Sequence, residues 1–312
     1  MRVVVTGALG HIGSRLIRAL PAMSPGMEIV MVDDLSTQRY CSLFDLPKNA
    51  VYRFHEADIL TADLAKLVSG ASVVIHLAAI TNAAASFDIQ EKVEQVNFNG
   101  TQRVAEACVT ANASLLFPST TSVYGTQSIT VDEECSPSDL KPQSPYAESK
   151  LKAEQYLRTL QEKKGLRFVA CRFGTIFGTS PGMRFHTAIN KFCWQALNGL
   201  PLSVWRTAMD QRRPYLDLGD AIRALSFIVE NQLFNGGLYN VLTTNSSVRE
   251  IIDAIRSHVS KVEVEYVDTK IMNQLSYTVL TEKFKKTGFG YTGNLAKGIA
   301  DTLQVLDGIR QR

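Results

Sequence analysis

Arg2-Val3-Val4-Val5-Thr6-Gly7-Ala8-Leu9-Gly10-His11-Ile12-Gly13 is the stretch on which the fold of this chain turns. Arg2–Val5 reads as a strand, and from His11 to Leu20 the residues Ile12, Leu16 and Leu20 share one helical face. Between them lies a T-G-x-x-G-x-x-G turn. Glycine permits the tight turn and the close approach of backbone to a pyrophosphate. The helix N-terminus adds unpaired N–H donors and the positive end of a dipole. A glycine triplet alone is weak evidence, but here it joins a strand to a helix, the context such a site requires. Asp33 ends the second strand, Glu28–Val32, about 20 residues further on. A carboxylate there accepts hydrogen bonds from both hydroxyls of an adenosine ribose and repels the 2′-phosphate of NADP. Gly7, Gly10, His11, Ile12, Gly13 and Asp33 therefore predict an NAD site; Asp34 shares the ribose or caps the next turn.

Outward from that turn, strands and helices alternate. Strands are predicted at Val51–His55, Ser72–Leu77, Ser114–Pro118 and Arg167–Phe173, with helices at Ala62–Val68, Val93–Asn112 and Tyr146–Lys163. Ser72–Leu77 has no polar alternation, as a parallel sheet covered on both faces requires. The rhythm predicts a doubly wound parallel α/β sheet of the Rossmann type with right-handed crossovers. After Gly174 it loosens into loops, a helix at Ala188–Asn198, a strand and helix over Tyr215–Glu230 and a mixed end. The expected division is a cofactor domain of residues 1–173 with roughly 214–240, and a smaller substrate-binding lobe of 174–213 and 241–312.

Composition excludes several classes. The 312 residues suffice for a large core, and 33 basic against 30 acidic side chains give a net charge of only +3. That is too small and too scattered a surplus to predict a nucleic-acid partner. No apolar run approaches the ~20 residues needed to cross a bilayer. With a strand read from the outset no cleaved leader is expected, and cysteines 41, 108, 135, 171 and 193 form no CxxC pair. A reduced, cytoplasmic protein is expected. The five histidines show no metal-ligand spacing with Cys, Asp or Glu, so no metal is predicted.

Tyr146-Ala147-Glu148-Ser149-Lys150 places a phenol and an ammonium one turn apart on the start of a helix. A cation held near a phenol favours the phenolate and lowers its pKa from ~10. Such a base removes a hydroxyl proton while hydride leaves the same carbon.

Together with His76-Leu77-Ala78-Ala79, Asn97-Phe98-Asn99-Gly100-Thr101 and Ser119–Gly125 (STTSVYG), these motifs resemble extended short-chain dehydrogenase/reductases. The chain is most similar there to the nucleotide-sugar epimerase/dehydratase family, typified by UDP-galactose 4-epimerase. The resemblance implies that Asp58 and Ile59 line the adenine, that Leu77, Ala78 and Ala79 line the phosphate and ribose, and that Asn97 and Phe173 belong to the cofactor pocket. It makes Thr120 the group that hydrogen-bonds the reacting sugar oxygen, Tyr146 the base and acid, and Lys150 the holder of the nicotinamide ribose that depresses the tyrosine pKa.

The residues after Thr120 bear on the reaction. Family 4,6-dehydratases place Asp and Glu there for the elimination of water; this chain has Thr121 and Ser122. Oxidation and reduction at one carbon remain, which favours NAD-dependent epimerisation at C4 of a UDP-hexose or UDP-hexuronate. An NAD(P)H-dependent 4-keto-sugar reductase, or another epimerase of the family, is the alternative; a silent NAD-binding scaffold is a remote one.

The family's R-Y-F-N reads Arg172-Phe173-Gly174-Thr175 here, so Thr175 stands where an asparagine meets the diphosphate, and the glycine is expected to remove bulk near nicotinamide and sugar. Arg184 and His186, on the loop Gly178–His186, are candidate substrate contacts. Arg213, in Gln211-Arg212-Arg213-Pro214-Tyr215, matches the family arginine that pairs with the diphosphate. A second family arginine has no counterpart; Asn273-Gln274-Leu275-Ser276 occupies its place. The helices Val93–Asn112 and Tyr146–Lys163 resemble those of a family homodimer interface.

Overall fold

The computed structural model describes residues 1–125, 129–267 and 276–308. Strands β1 (Arg2–Thr6), β2 (Glu28–Asp33), β3 (Val51–Glu56), β4 (Val73–His76) and β5 (Ser114–Thr120) join Phe168–Phe173 and Leu238–Val241 in one sheet. The order is Leu238–Val241, Phe168–Phe173, β5, β4, β1, β2, β3, with every pairing parallel. The winding reverses between β1 and β4. At such a point the crevice outside the carboxyl ends of the strands receives the ligand.

Strand alternation sorts the core into two layers. Val3, Val5, Ile29 and Met31 face one way, against Leu16 and Ile17 of the helix His11–Ala19 and Leu225 of the helix Leu218–Glu230. Val4, Val30 and Val74 face the other way, against Val104, Cys108, Ala153 and Leu157 of the helices Gly100–Ala111 and Pro145–Lys164. β3 closes one edge with Arg53, His55 and Glu56, charged or polar chemistry that blunts an exposed edge.

A second sheet pairs Arg212–Asp217 with Thr175–Phe177 in parallel and with Thr244–Ser247 antiparallel. Helices Ala188–Leu197, Val248–Arg256 and Leu295–Leu306 enclose a separate cluster that includes Phe177, Phe192, Tyr215, Ile251 and Ile299. Among the described residues no helix is long and apolar enough to cross a membrane.

Several boundaries differ from the sequence reading. The first helix stops at Ala19, because Pro21 lies in the following 3₁₀ turn. The helix expected from Ala62 begins at Leu64, where Asp63 caps it by accepting from Lys66 N–H at 3.1 Å. The helix expected from Val93 begins at Gln90 and widens to a π-helix over Glu94–Asn99. Such a turn inserts a residue and re-aims its side chains; here it contains the buried Asn97. The helix expected from Tyr146 starts at Pro145, with Ser144 Oγ accepting from Ala147 N–H at 3.2 Å, and ends on Gly165 at φ +68°.

Candidate active site

At the carboxyl end of β1 the glycine turn is pressed against the segment leaving β4. Gly7 has φ +65°, and a Cβ on it would lie 2.6 Å from Ala78 N; one on Gly13 would lie 2.4 Å from Gly7 O. The close contact therefore requires glycine at both positions. Beneath it Thr6 Oγ1 accepts from Ala78 N–H at 3.3 Å and meets His76 Nδ1 at 2.7 Å. His76 Nε2 continues to Thr101 Oγ1 at 3.1 Å. Burial first, then the Lys150 charge, pushes the His76 pKa down to about 3, so its ring is neutral.

Asp33 braces the same turn. Its Oδ2 accepts from Leu9 N–H at 3.0 Å and its Oδ1 from Leu35 N–H at 3.1 Å. Burial raises its pKa, and those two bonds oppose the shift. Asp34 turns away: its Oδ1 accepts from Ser36 N–H at 3.0 Å and Ser36 Oγ at 2.7 Å, which makes it the cap of the following turn. His11 Nε2, at the turn, and Ser119 Oγ, in the lining of the neighbouring cavity, are buried with no protein partner. A glycine turn with donors at a helix start, a carboxylate at the end of β2 and polar atoms left over fit a dinucleotide.

The three residues expected to be catalytic are brought to one place. Tyr146, Lys150 and Thr120 all line one cavity of about 390 Å³. Lys150 is 4% exposed, donates from Nζ to Pro118 O at 2.9 Å and lies 4.5 Å from the centre of the Phe117 ring. Burial lowers its pKa to about 8, against the opposing charge of Glu154. The electrostatics of the tyrosine differ from expectation. Burial raises its pKa, and the opposing cation is Arg184, with the Thr120 hydrogen bond acting in the same sense. In this state Lys150 serves Pro118 rather than the phenol.

Phe173, Gly174, Thr175, Arg184, His186 and Arg213 line the same cavity. Arg184 contacts Thr81 Oγ1 and keeps its Nε buried with no partner. Arg213 donates to Gln211 Oε1 at 2.8 Å and lies 5.7 Å from the centre of the Tyr277 ring. Gly174 also admits its neighbours: a Cβ there would lie 3.1 Å from Pro214 O and 3.2 Å from Leu242 Cβ.

Other expected cofactor residues are placed behind the surface. Asn97 is fully buried, and its amide is spent on Ile80 N–H (2.8 Å), Ile80 O (3.0 Å) and Ser149 Oγ (3.1 Å). It positions the wall after β4, because its polar atoms already have partners. Ile59 is 4% exposed and packs where a Cβ on Gly100 would lie 2.5 Å from its Cδ1. Asp58 accepts from Leu60 N–H at 2.8 Å in the turn before it. Leu77 and Ala79 line the cavity, and Ala78 backs the glycine turn. Asn273, Gln274 and Leu275 lie outside the described residues; Ser276 Oγ accepts from Arg212 N–H at 2.9 Å.

Sequence reasoning missed the support behind Lys150. One turn further along the same helix face, Glu154 takes a two-pronged contact from Arg172, at 3.1 Å from Nε and 2.7 Å from Nη2. Arg172 lies 4.8 Å from the centre of the Tyr124 ring, and Tyr124 donates to Asn240 Oδ1 at 2.8 Å. The i, i+4, i+8 spacing of Tyr146, Lys150 and Glu154 was the available signal. Among the described residues no group of His, Cys, Asp and Glu is placed to hold a metal.

The profile of the NAD dependent epimerase/dehydratase family matches residues 3–241. This chain belongs to that family. An uncharacterised UDP-glucose epimerase of Bacillus subtilis is 28% identical to this family member over 288 residues, 89% of this chain and 88% of its own. The dTDP-D-glucose 4,6-dehydratase of Bos taurus is 27% identical over 319 residues, 97% of this chain and 88% of its own. Among solved structures, the UDP-glucuronic acid 4-epimerase from Bacillus cereus, in complex with UDP-glucuronic acid and NAD, matches with a TM-score of 0.85. It is 28% identical, covering 97% of this epimerase/dehydratase chain and 98% of its own.

Proposed function

We propose that this chain is an NAD-dependent epimerase that inverts C4 of a UDP-hexose or UDP-hexuronate. The observation that carries the reading is the lining of the catalytic cavity: Thr120, Tyr146 and Lys150 are present, and among the described residues that line it there is no carboxylate. Elimination of water needs a second acid and base, and the adjacent Thr121 and Ser122 supply neither. Thr120 orients the C4 oxygen toward Tyr146, whose phenolate takes its proton and, as the phenol, later gives one back. NAD, when bound, supplies the acceptor for the C4 hydride and its return to the opposite face. Lys150, with a pKa of about 8, keeps a positive charge at neutral pH beside the reacting groups.

Among the described residues that line it, Lys150, Arg184 and Arg213 give the cavity three cationic groups and no acidic one; Glu154 offsets Lys150 from behind the lining. Arg213 suits a diphosphate, and the remaining charge favours a hexuronate over a neutral hexose. In this proposal residues 1–173 with roughly 214–240 carry the cofactor, and 174–213 with 241–312 carry the nucleotide-sugar. The enzyme works in the cytoplasm as a homodimer through the helices Val93–Asn112 and Tyr146–Lys163, which within one chain meet through Phe98 and Tyr156, edge to face at 6.2 Å. A monomeric elution volume at micromolar concentration refutes the dimer.

The test is incubation with UDP-, dTDP- and GDP-sugars without added reductant, followed by NMR of the sugar protons. A C4 epimer of one donor supports the reading and names the substrate. Conversion only of a 4-keto sugar with added NADH or NADPH makes the chain a reductase.

A further inference from the structure

Gly178–His186 leaves the second sheet after Phe177 and returns to the helix Ala188–Leu197. Its two feet are tied to one side chain. The fully buried Asn190 accepts from Gly178 N–H at 3.1 Å and donates to Gly178 O and Arg184 O, each at 3.2 Å. Between the feet the segment lies across the glycine turn. Gly182 N–H donates to Ser14 Oγ at 2.9 Å, and His11 Nδ1 meets Ser180 Oγ at 2.8 Å. Arg15 donates to Thr179 O at 3.1 Å, and Cys41 Sγ to Pro181 O at 3.3 Å. Gly182 is seated so closely that a Cβ would lie 2.3 Å from Leu9 O and 2.6 Å from Gly10 O. Past this seat Arg184 and His186 reach the catalytic cavity.

One segment thus covers both the turn that fits a pyrophosphate and the cavity that holds Tyr146. Ser14, Thr179, Ser180 and Gly182 do not line that cavity, so the chemistry at Tyr146 does not account for their contacts. We propose that Gly178–His186 is a clasp that retains the dinucleotide through the catalytic cycle, latched by Ser14, Ser180 and the close seat of Gly182. Its base, fixed by Asn190, stays in place while the tip lifts to let the cofactor pass. The inference rests on the epimerase reading: hydride removed from the sugar must return to the same sugar, so a cofactor lost in mid-cycle strands a ketone. A reductase, which exchanges its cofactor at every turnover, has no use for such a latch.

The experiment loads the purified protein with radiolabelled NAD, adds a large excess of unlabelled NAD and follows the label that stays bound. Ser14→Ala/Ser180→Ala removes two neutral hydrogen bonds of the latch and is expected to release label roughly five- to a hundredfold faster. Ser180→Ala alone, a milder change that keeps the test open if the double variant is poorly folded, is expected to give roughly a two- to tenfold increase. Gly182→Val, which cannot seat, is expected to release faster than either. Release within twofold of the unaltered protein from all folded variants overturns the clasp and leaves the epimerase reading standing. If the unaltered protein takes up no NAD, the cofactor reading falls and the clasp with it.

Discussion

Asp33→Asn separates two duties of one carboxylate, the brace seen in the structure and the ribose contact expected from the sequence. Each Asp33 oxygen accepts from one backbone N–H, Leu9 at 3.0 Å and Leu35 at 3.1 Å. Asparagine keeps the shape but offers one acceptor oxygen, so one N–H loses its partner. A hydrogen bond to a charged group contributes about 1.5–3 kcal/mol, and partial exposure of Asp33 favours the lower part of that range, about 2 kcal/mol. For 312 residues the unfolding entropy amounts to roughly 0.7 kcal/mol per kelvin, so the melting temperature should fall by about 3 °C. The adenosine ribose loses a charged acceptor at the same time, which weakens NAD by about ten- to a hundredfold. NADP should bind no worse than before, because its 2′-phosphate no longer faces a negative charge. Titration calorimetry of cofactor-stripped protein with each dinucleotide, alongside thermal melts, measures both effects. A lowered melting temperature with an unchanged ratio of NAD to NADP affinity would refute the discriminating role and leave Asp33 as a brace alone.

Tyr146→Phe should retain NAD binding and lower turnover by about a hundredfold or more, the size of a lost acid–base group; undiminished turnover removes Tyr146 from that role. The rate should fall above pH about 8, where Lys150 loses its proton, and Lys150→Met should abolish that limb of the pH profile along with most activity. Glu154→Gln leaves the Arg172 guanidinium buried without its counter-charge and should cost about 3–5 kcal/mol of stability by denaturant titration. His76 and His11 have folded pKa values of about 3, below the ordinary value of 6.5, so their contribution is complete above pH 6.5 and is lost as pH falls toward 3. Between pH 7 and pH 5 each should remove about 2 kcal/mol, and His76→Gln should flatten the measured slope by about half.

The first half of the fold was legible because its signals are local. A strand, a glycine turn and an amphipathic helix follow one another within twenty residues, and Val3 and Val5 oppose Val4 by simple alternation. Tyr146 and Lys150 were legible for the same reason, being one turn apart on one helix. What escaped the sequence is what depends on distant partners. Asn97 resembles a pocket residue in its motif, yet its amide is consumed by Ile80 and Ser149, which only the folded chain brings together. Arg184, read as a substrate contact, also supplies the cation facing Tyr146, a relation between residues far apart in the chain. The loop containing Ser180 and Gly182 carries no pattern of its own; its meaning lies in the carbonyls of Leu9 and Gly10 on which it rests.

The two sheets are joined more often than a bilobed outline implies. Phe168–Phe173 passes through Gly174 into Thr175–Phe177, the strand Arg212–Asp217 runs straight into the helix Leu218–Glu230, and Leu238–Val241 continues after Leu242 and Thr243 into Thr244–Ser247. Among the described residues the backbone therefore crosses between them three times, and the second sheet is interleaved with the first along the chain instead of following it. A fragment ending at residue 173 lacks Leu238–Val241 and bares the edge of Phe168–Phe173, a strand buried along its whole length. Such an edge invites pairing between chains. A whole lobe grafted from a relative has to rejoin the chain at all three crossings, whereas a single side chain or a short loop set between them changes without breaking any.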